Sequence, residues 1–132
     1  MMLHLMIAAA AAAASPAGPR ATAERFFAAF DAHDVAAIAR LYPPDAVLTS
    51  SDFCGPRTGA DVSRTYEALF KAFPDIKDQV EQMVAEGDSV AIRFTATSGG
   101  FKLPIIAMLR VRDGMIVEDR TVFDNGGRPC AQ

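Results

Sequence analysis

From residue 76 to residue 124 the chain alternates apolar and polar side chains almost without a break, and this restricts the fold more than any other feature. Successive side chains of an extended strand point to opposite faces, so a period of two buries one face of a sheet and solvates the other. Four runs are legible: IKDQVEQMVAEGD (76–88), SVAIRFTATS (89–98), LPIIAMLRVRDG (103–114) and MIVEDRTVFD (115–124). They are separated by Gly87-Asp88, Gly99-Gly100 and Asp113-Gly114, pairs that suit the tight turns of antiparallel hairpins. The expectation is a meander of long strands.

The first half has a different period. Phe26, Phe27 and Phe30 make one apolar face, and Val35, Ile38 and Leu41 make a second after a break at DAHD. Two helices are expected within 22–41, with His33 closing the first, Asp34 capping the second and Pro43-Pro44 stopping it. DAVLTS (45–50) reads as a short strand and SDFCGPRTG as a loop. Val62, Tyr66, Leu69, Phe70 and Phe73 form one stripe of a third helix over 59–73, which Pro74 ends. Helices followed by a meander argue for an α+β domain, a curved antiparallel sheet with helices on one face. The 132 residues suffice for one core and are too few for two, so 19–132 is read as a single domain.

Residues 1–18 are set apart from that domain. MMLHLMIAAAAAAA is apolar apart from His4 and too short to span a bilayer, so no stable membrane association is expected. Ala12-Ala13-Ala14 before Ser15 gives the small-residue spacing of a cleavage site, although the n-region lacks Lys and Arg. Two readings stand: an export signal, which would make the protein periplasmic or secreted, or an Ala-rich extension on a cytoplasmic one. The net charge of −3, with no basic cluster, argues against nucleic acid as a partner. Cys54 and Cys130 form no C-x-x-C, and His4 and His33 stand alone, so no zinc site is expected. There is also no phosphate-binding glycine loop and no nucleophile motif, so no cofactor is expected.

Several strings, in this order, resemble the SnoaL-like (polyketide cyclase-like) branch of the nuclear transport factor 2-like superfamily. They are AERFFAAFDAHDVAAIARLYPPDAVL, AFPD at 72–75, VAEGDSVAIRF and RDGMIVEDRTVFD, together covering most of 21–124. The resemblance implies a cone, with the sheet wrapped around the first helix and a mostly apolar pocket at its open end. Cyclases, ketosteroid isomerases, epoxide hydrolases and binding domains share that cone, so the fold alone leaves the chemistry open.

The chemistries of such relatives can be tested position by position. A steroid isomerase would need a tyrosine where this chain has Phe26, a carboxylate base at Ser50 and a protonated acid near Ala107. A hydrolase would need an Arg/Asp pair where Ile105, Ala107 and Leu109 stand. The cyclase aspartate falls at Thr121, whose hydroxyl can orient an oxygen but cannot shuttle protons near neutral pH. None of the three inherited mechanisms is complete here, unless a neighbouring acid has taken over.

Alternation sorts the acids of the last strand. Asp119, Thr121 and Phe123 share one face, which the resemblance assigns to the pocket; Ile116, Glu118, Arg120, Val122 and Asp124 share the other. Glu118 and Arg120 would join Arg93, Arg110 and Arg112 in a charged ladder on the outer face, solvated or packed in a homodimer. Asp113 belongs to its turn. Asp119 is either a hydrated rim acid or a lone buried carboxylate whose pKa burial would raise. Asp124 is either a turn acid or one turned toward the pocket mouth by strand twist. Asp119 and Asp124 are thus the candidate catalytic residues, and Phe26, Phe30, Leu48, Ser50, Tyr66, Leu109, Thr121 and Phe123 the candidate pocket. Tyr42 and Tyr66 are expected to pack as core aromatics that offer hydroxyls, and His33 to be a helix-terminal residue. The expected partner is a small, mostly apolar molecule; the rival is a dimerising interaction domain with no ligand and a filled cone. In this fold the loop after the first strand and the tail after the last both lie near the open end, so Cys54 and Cys130 could meet.

Overall fold

The computed structural model describes residues 17–132; the export-signal expectation therefore lies outside the described residues. Pro19 opens helix α1 (Pro19–Asp31) at a position where its missing N–H costs nothing. Ala23, Phe26, Phe27 and Phe30 recur at helical spacing on its buried face. His33 then takes a positive φ of 52°, and the Asp34 carboxylate accepts the Ala37 N–H to start α2 (Val35–Ala39). A 3-10 turn over Gly59–Asp61 leads into α3 (Val62–Ala72), so the third expected helix begins with a tighter turn. A Cβ on Gly59 would sit 1.8 Å from the Pro43 carbonyl oxygen, which explains glycine there.

Six strands form one sheet in the order β2-β1-β6-β5-β4-β3: β1 (Val47–Ser50), β2 (Arg57–Thr58), β3 (Lys77–Glu86), β4 (Ser89–Ser98), β5 (Phe101–Arg112) and β6 (Met115–Val122). The meander β3–β6 is antiparallel throughout, and Gly99-Gly100 and Asp113-Gly114 all have positive φ as their tight turns require. The α+β class holds, but the sheet is mixed, because β1 runs parallel to β6. Within the expected loop, Arg57-Thr58 pairs with β1 as a two-residue edge strand.

The sheet curves around α1, with the core between them. Val90, Ile92, Phe94 and Ala96 of β4 and Ile105, Ala107, Leu109 and Val111 of β5 face inward. Two register shifts bend it. Val117 has no partner between Arg110↔Glu118 and Val111↔Ile116, and Glu81 has none between Val80↔Phe94 and Gln82↔Arg93. The first shift corrects one expectation: Ile116 is fully buried and not on the outer face, because the extra residue lets Ile116 and Asp119 point the same way. On the outer face Glu118 pairs with Arg110 and Arg120, and Glu81 with Arg93, as a charged ladder. Among the described residues no helix is long and apolar enough to cross a membrane.

Candidate active site in the cone

The concave face of the sheet, α1 and α3 enclose a cavity of about 440 Å³. This lies in the range of small-molecule pockets. Phe26 and Phe30 of α1, Tyr66 of α3, Leu48 and Ser50 of β1, Leu109 of β5, and Thr121 and Phe123 at the end of the sheet all line it. The aromatic rings brace one another edge to face: Phe26 lies 5.8 Å from Tyr66, and Phe30 lies 5.2 Å from Phe70. His33 stacks on Phe70 at 4.2 Å, and its Nε2–H donates to the Ile76 carbonyl, so it is structural.

Asp119 is the polar centre of the inner wall. It sits between Leu48 on β1 and Leu109 on β5 and is only 6% exposed, which removes the hydrated-rim reading. Tyr42 donates its hydroxyl to Oδ2 at 2.7 Å, and Thr121 donates to Oδ1 at 2.9 Å. Burial raises the Asp119 pKa above the ordinary carboxylate range, and the two hydrogen bonds pull partly against that rise. Tyr42 and Tyr66 are both pushed well above the usual phenol value, by burial first and then by the Asp119 charge. Both phenols therefore stay neutral donors. The arrangement is an oriented carboxyl group in a low-dielectric pocket, with a pKa that burial moves up from the ordinary carboxylate range toward that of a general acid/base.

Asp124 lies elsewhere. It is exposed, it does not line the cavity, and its Oδ1 accepts the Gly126 N–H, so it is a turn acid. Past the end of β6 the strand twist does not carry it to the pocket mouth. The positions tested against known chemistries all face the cavity yet carry no catalytic group there: Phe26, Ser50, Ile105, Ala107 and Leu109. At Thr121 the hydroxyl is bonded to Asp119, an acid two residues away on the same face.

Three residues of the site escaped the sequence reading. Tyr42 was expected to pack as a core aromatic that offers a hydroxyl, but its partner Asp119 lies 77 residues away. Arg57 closes the mouth, stacked 3.9 Å over Phe53 while it donates to Thr65 Oγ1 and to the Gln132 carbonyl. Asp78 lines the cavity from β3 at 8% exposure, with Oδ1 unpartnered. The signal for Asp78 was present, since alternation puts it on the same face as Ile76. The mouth is also tied covalently: Cys54 and Cys130 form a disulfide, and Phe53 bridges to Ala131 beside it. Among the described residues no group of His, Cys, Asp and Glu could hold a metal ion.

A model of the SnoaL-like domain matches residues 23–119, most of the chain. The chain belongs to the SnoaL-like family. Among solved structures it is similar to IdmH, a candidate polyketide cyclase from Streptomyces antibioticus, at 29% identity and a TM-score of 0.73, covering 82% of this chain and 93% of that one. A loop-truncated IdmH variant is 32% identical with a TM-score of 0.74, over 82% of this chain and 94% of that chain. AclR, a candidate hydroxylase from Streptomyces galilaeus, is 29% identical with a TM-score of 0.66, over 79% and 77% of the two chains. No curated protein matches. The SnoaL-like cone thus accounts for the fold, while its chemistry has to be argued from Asp119 and its partners.

Proposed function

We propose that this SnoaL-like protein binds a small, largely apolar molecule carrying a carbonyl oxygen in its cone, and that Asp119 gives it weak acid/base activity of the cyclase or isomerase kind. The observation that carries this reading is the pairing of Asp119 with Tyr42 and Thr121 inside a mostly apolar cavity of about 440 Å³. Burial strengthens each interaction of that carboxyl with a bound group. It also raises the carboxyl pKa, which makes the group a stronger base when ionised than an exposed aspartate. Tyr66, a neutral hydroxyl on α3 close to Tyr42 and Asp119, is suited to polarising the carbonyl of a ketone whose α-proton Asp119 removes. The similarity to IdmH, a candidate cyclase, agrees with that class of substrate. The Cys54–Cys130 disulfide supports export to an oxidising compartment.

The test is α-proton exchange of 2-tetralone in D₂O, followed by NMR. Wild type is expected to accelerate exchange over buffer, and Asp119→Asn to abolish the acceleration while the ketone still binds. Binding with the same exchange rate in both proteins would leave a binding module without catalysis. The absence of any binding would remove the proposal.

A second reading concerns the outer face, where Val84, Ile106, Met108 and Val122 stand exposed beside the charged ladder. They support a homodimer through the sheet, which is compatible with an occupied cone. Sedimentation velocity across a concentration series tests it.

A further inference from the structure

The catalytic reading leaves a buried acid of the cavity unused. Asp78 stands near the start of β3, opposite Ala96, and no donor reaches its Oδ1. It shares its part of the wall with Ile76, Ala96 and Leu103, all apolar. A buried carboxyl group without a partner is a standing cost to the fold. An apolar residue there would remove that cost; Oδ1 is closed off from solvent, so a partner arriving through the cavity would be met by the other carboxyl oxygen. The surrounding elements offer none. From α1, Asp31 accepts the Asp78 backbone N–H at 2.9 Å and adds a like charge. His33 directs its Nε2–H at Ile76, Lys77 directs its ammonium at the Asp31 carbonyl, and Tyr66 on α3 faces both Asp78 and Asp119.

We propose that the Asp78 carboxyl group is a second polar anchor of the cavity, donating a hydrogen bond to an oxygen at the far end of a neutral ligand whose near end meets Asp119. The proposal rests on the Asp119 reading and narrows its substrate class. Asp119 is level with Val90 of β4 and Asp78 with Ala96, so the two acids lie three strands and six residues of register apart, about 25 Å on a flat sheet, and the curl of the sheet around α1 brings them closer. The ligand class is therefore an apolar body with two hydrogen-bond-accepting oxygens set well apart, such as a diketone. Neutrality follows from the surroundings. Burial and the nearby Asp31 charge push the Asp78 pKa up to about 8, so at pH 7 the group carries its proton and donates. Above that pH the donor is lost and an unpaired charge replaces it.

The probes are 2-decanone and three diones, 2,7-octanedione, 2,9-decanedione and 2,11-dodecanedione, titrated by calorimetry with the carbonyl stretch read by infrared difference. Wild type at pH 6.5 should bind the best-fitting dione about tenfold more tightly than 2-decanone, the scale of one net hydrogen bond. A second, red-shifted carbonyl band should accompany it. Asp78→Leu should erase both the preference and the band, Asp78→Asn should keep part of each, and in wild type the preference should fade above pH about 8. The 2-decanone affinity should survive all of these changes. If 2-decanone binds and no dione is preferred, or Asp78→Leu leaves the preference intact, the second anchor is refuted and the Asp119 reading stands. If neither ketone class binds, both fall together.

Discussion

Replacing Asp78 with Asn should change how stability depends on pH, by an amount the structure sets. Burial, helped by the Asp31 charge, raises the Asp78 pKa from 3.8 to about 8. In the window between those values the folded chain keeps a proton that the unfolded chain releases, so stability falls as pH rises. At about 1.4 kcal/mol for each pH unit, the full loss is about 6 kcal/mol, of which about 5 falls between pH 4 and pH 9. For a domain whose total stability is of order 5–15 kcal/mol that is a large fraction. Asp119 acts in the same direction, since its pKa is also raised by burial. Asp61, Asp75 and Glu118 have lowered pKa values, so what they contribute is lost as the pH falls from their unfolded values through their folded ones, at the acid edge of this window and equally in both proteins. Asn matches the volume of Asp and never ionises. Urea denaturation with the disulfide intact, run from pH 4 to pH 9, should show Asp78→Asn gaining on wild type by about 5 kcal/mol across the range. Profiles that run parallel would mean that Asp78 titrates as a hydrated acid, and the argument for its burial would be wrong.

Tyr42→Phe removes the 2.7 Å bond to Asp119 and should cost about 1–2 kcal/mol in chemical denaturation while raising the Asp119 pKa further. Cys54→Ser with Cys130→Ser opens a link spanning 76 residues, and by loop entropy should cost about 4 kcal/mol in the same assay. Hydrogen exchange in that double variant should quicken first in 51–58 and 125–132, the two sides of the mouth. Met108→Lys places a charge in the exposed apolar patch of the outer face and should shift sedimentation toward the monomer without altering ketone binding.

Much of this architecture is visible in local patterns, because a period of two and a turn dipeptide are short-range signals. Alternation groups Asp119, Thr121 and Phe123 on one face, the family resemblance assigns that face to the cavity, and Asp34 could be recognised as a cap from its neighbours. The errors have one physical source, the dependence of register on partners far along the chain. Val117 is an extra residue only because β5 pairs across it, and that slip turns Ile116 inward. β1 lies parallel to β6, a strand about 70 residues further along the chain, a relation with no local signature. Asp78 sits in a polar run, and its burial depends on the cone above it. Tyr42 looks like packing until Asp119 is brought beneath its hydroxyl.

The central claim is that Asp119 is a buried, oriented acid facing a space that an apolar carbonyl compound can enter. Its carboxyl ¹³C resonance, followed by NMR against pH with and without 2-decanone, tests that claim most directly. The account predicts a midpoint above the ordinary carboxylate range and a resonance that moves when the ketone is added. An ordinary carboxylate midpoint with a resonance indifferent to the ketone would contradict it.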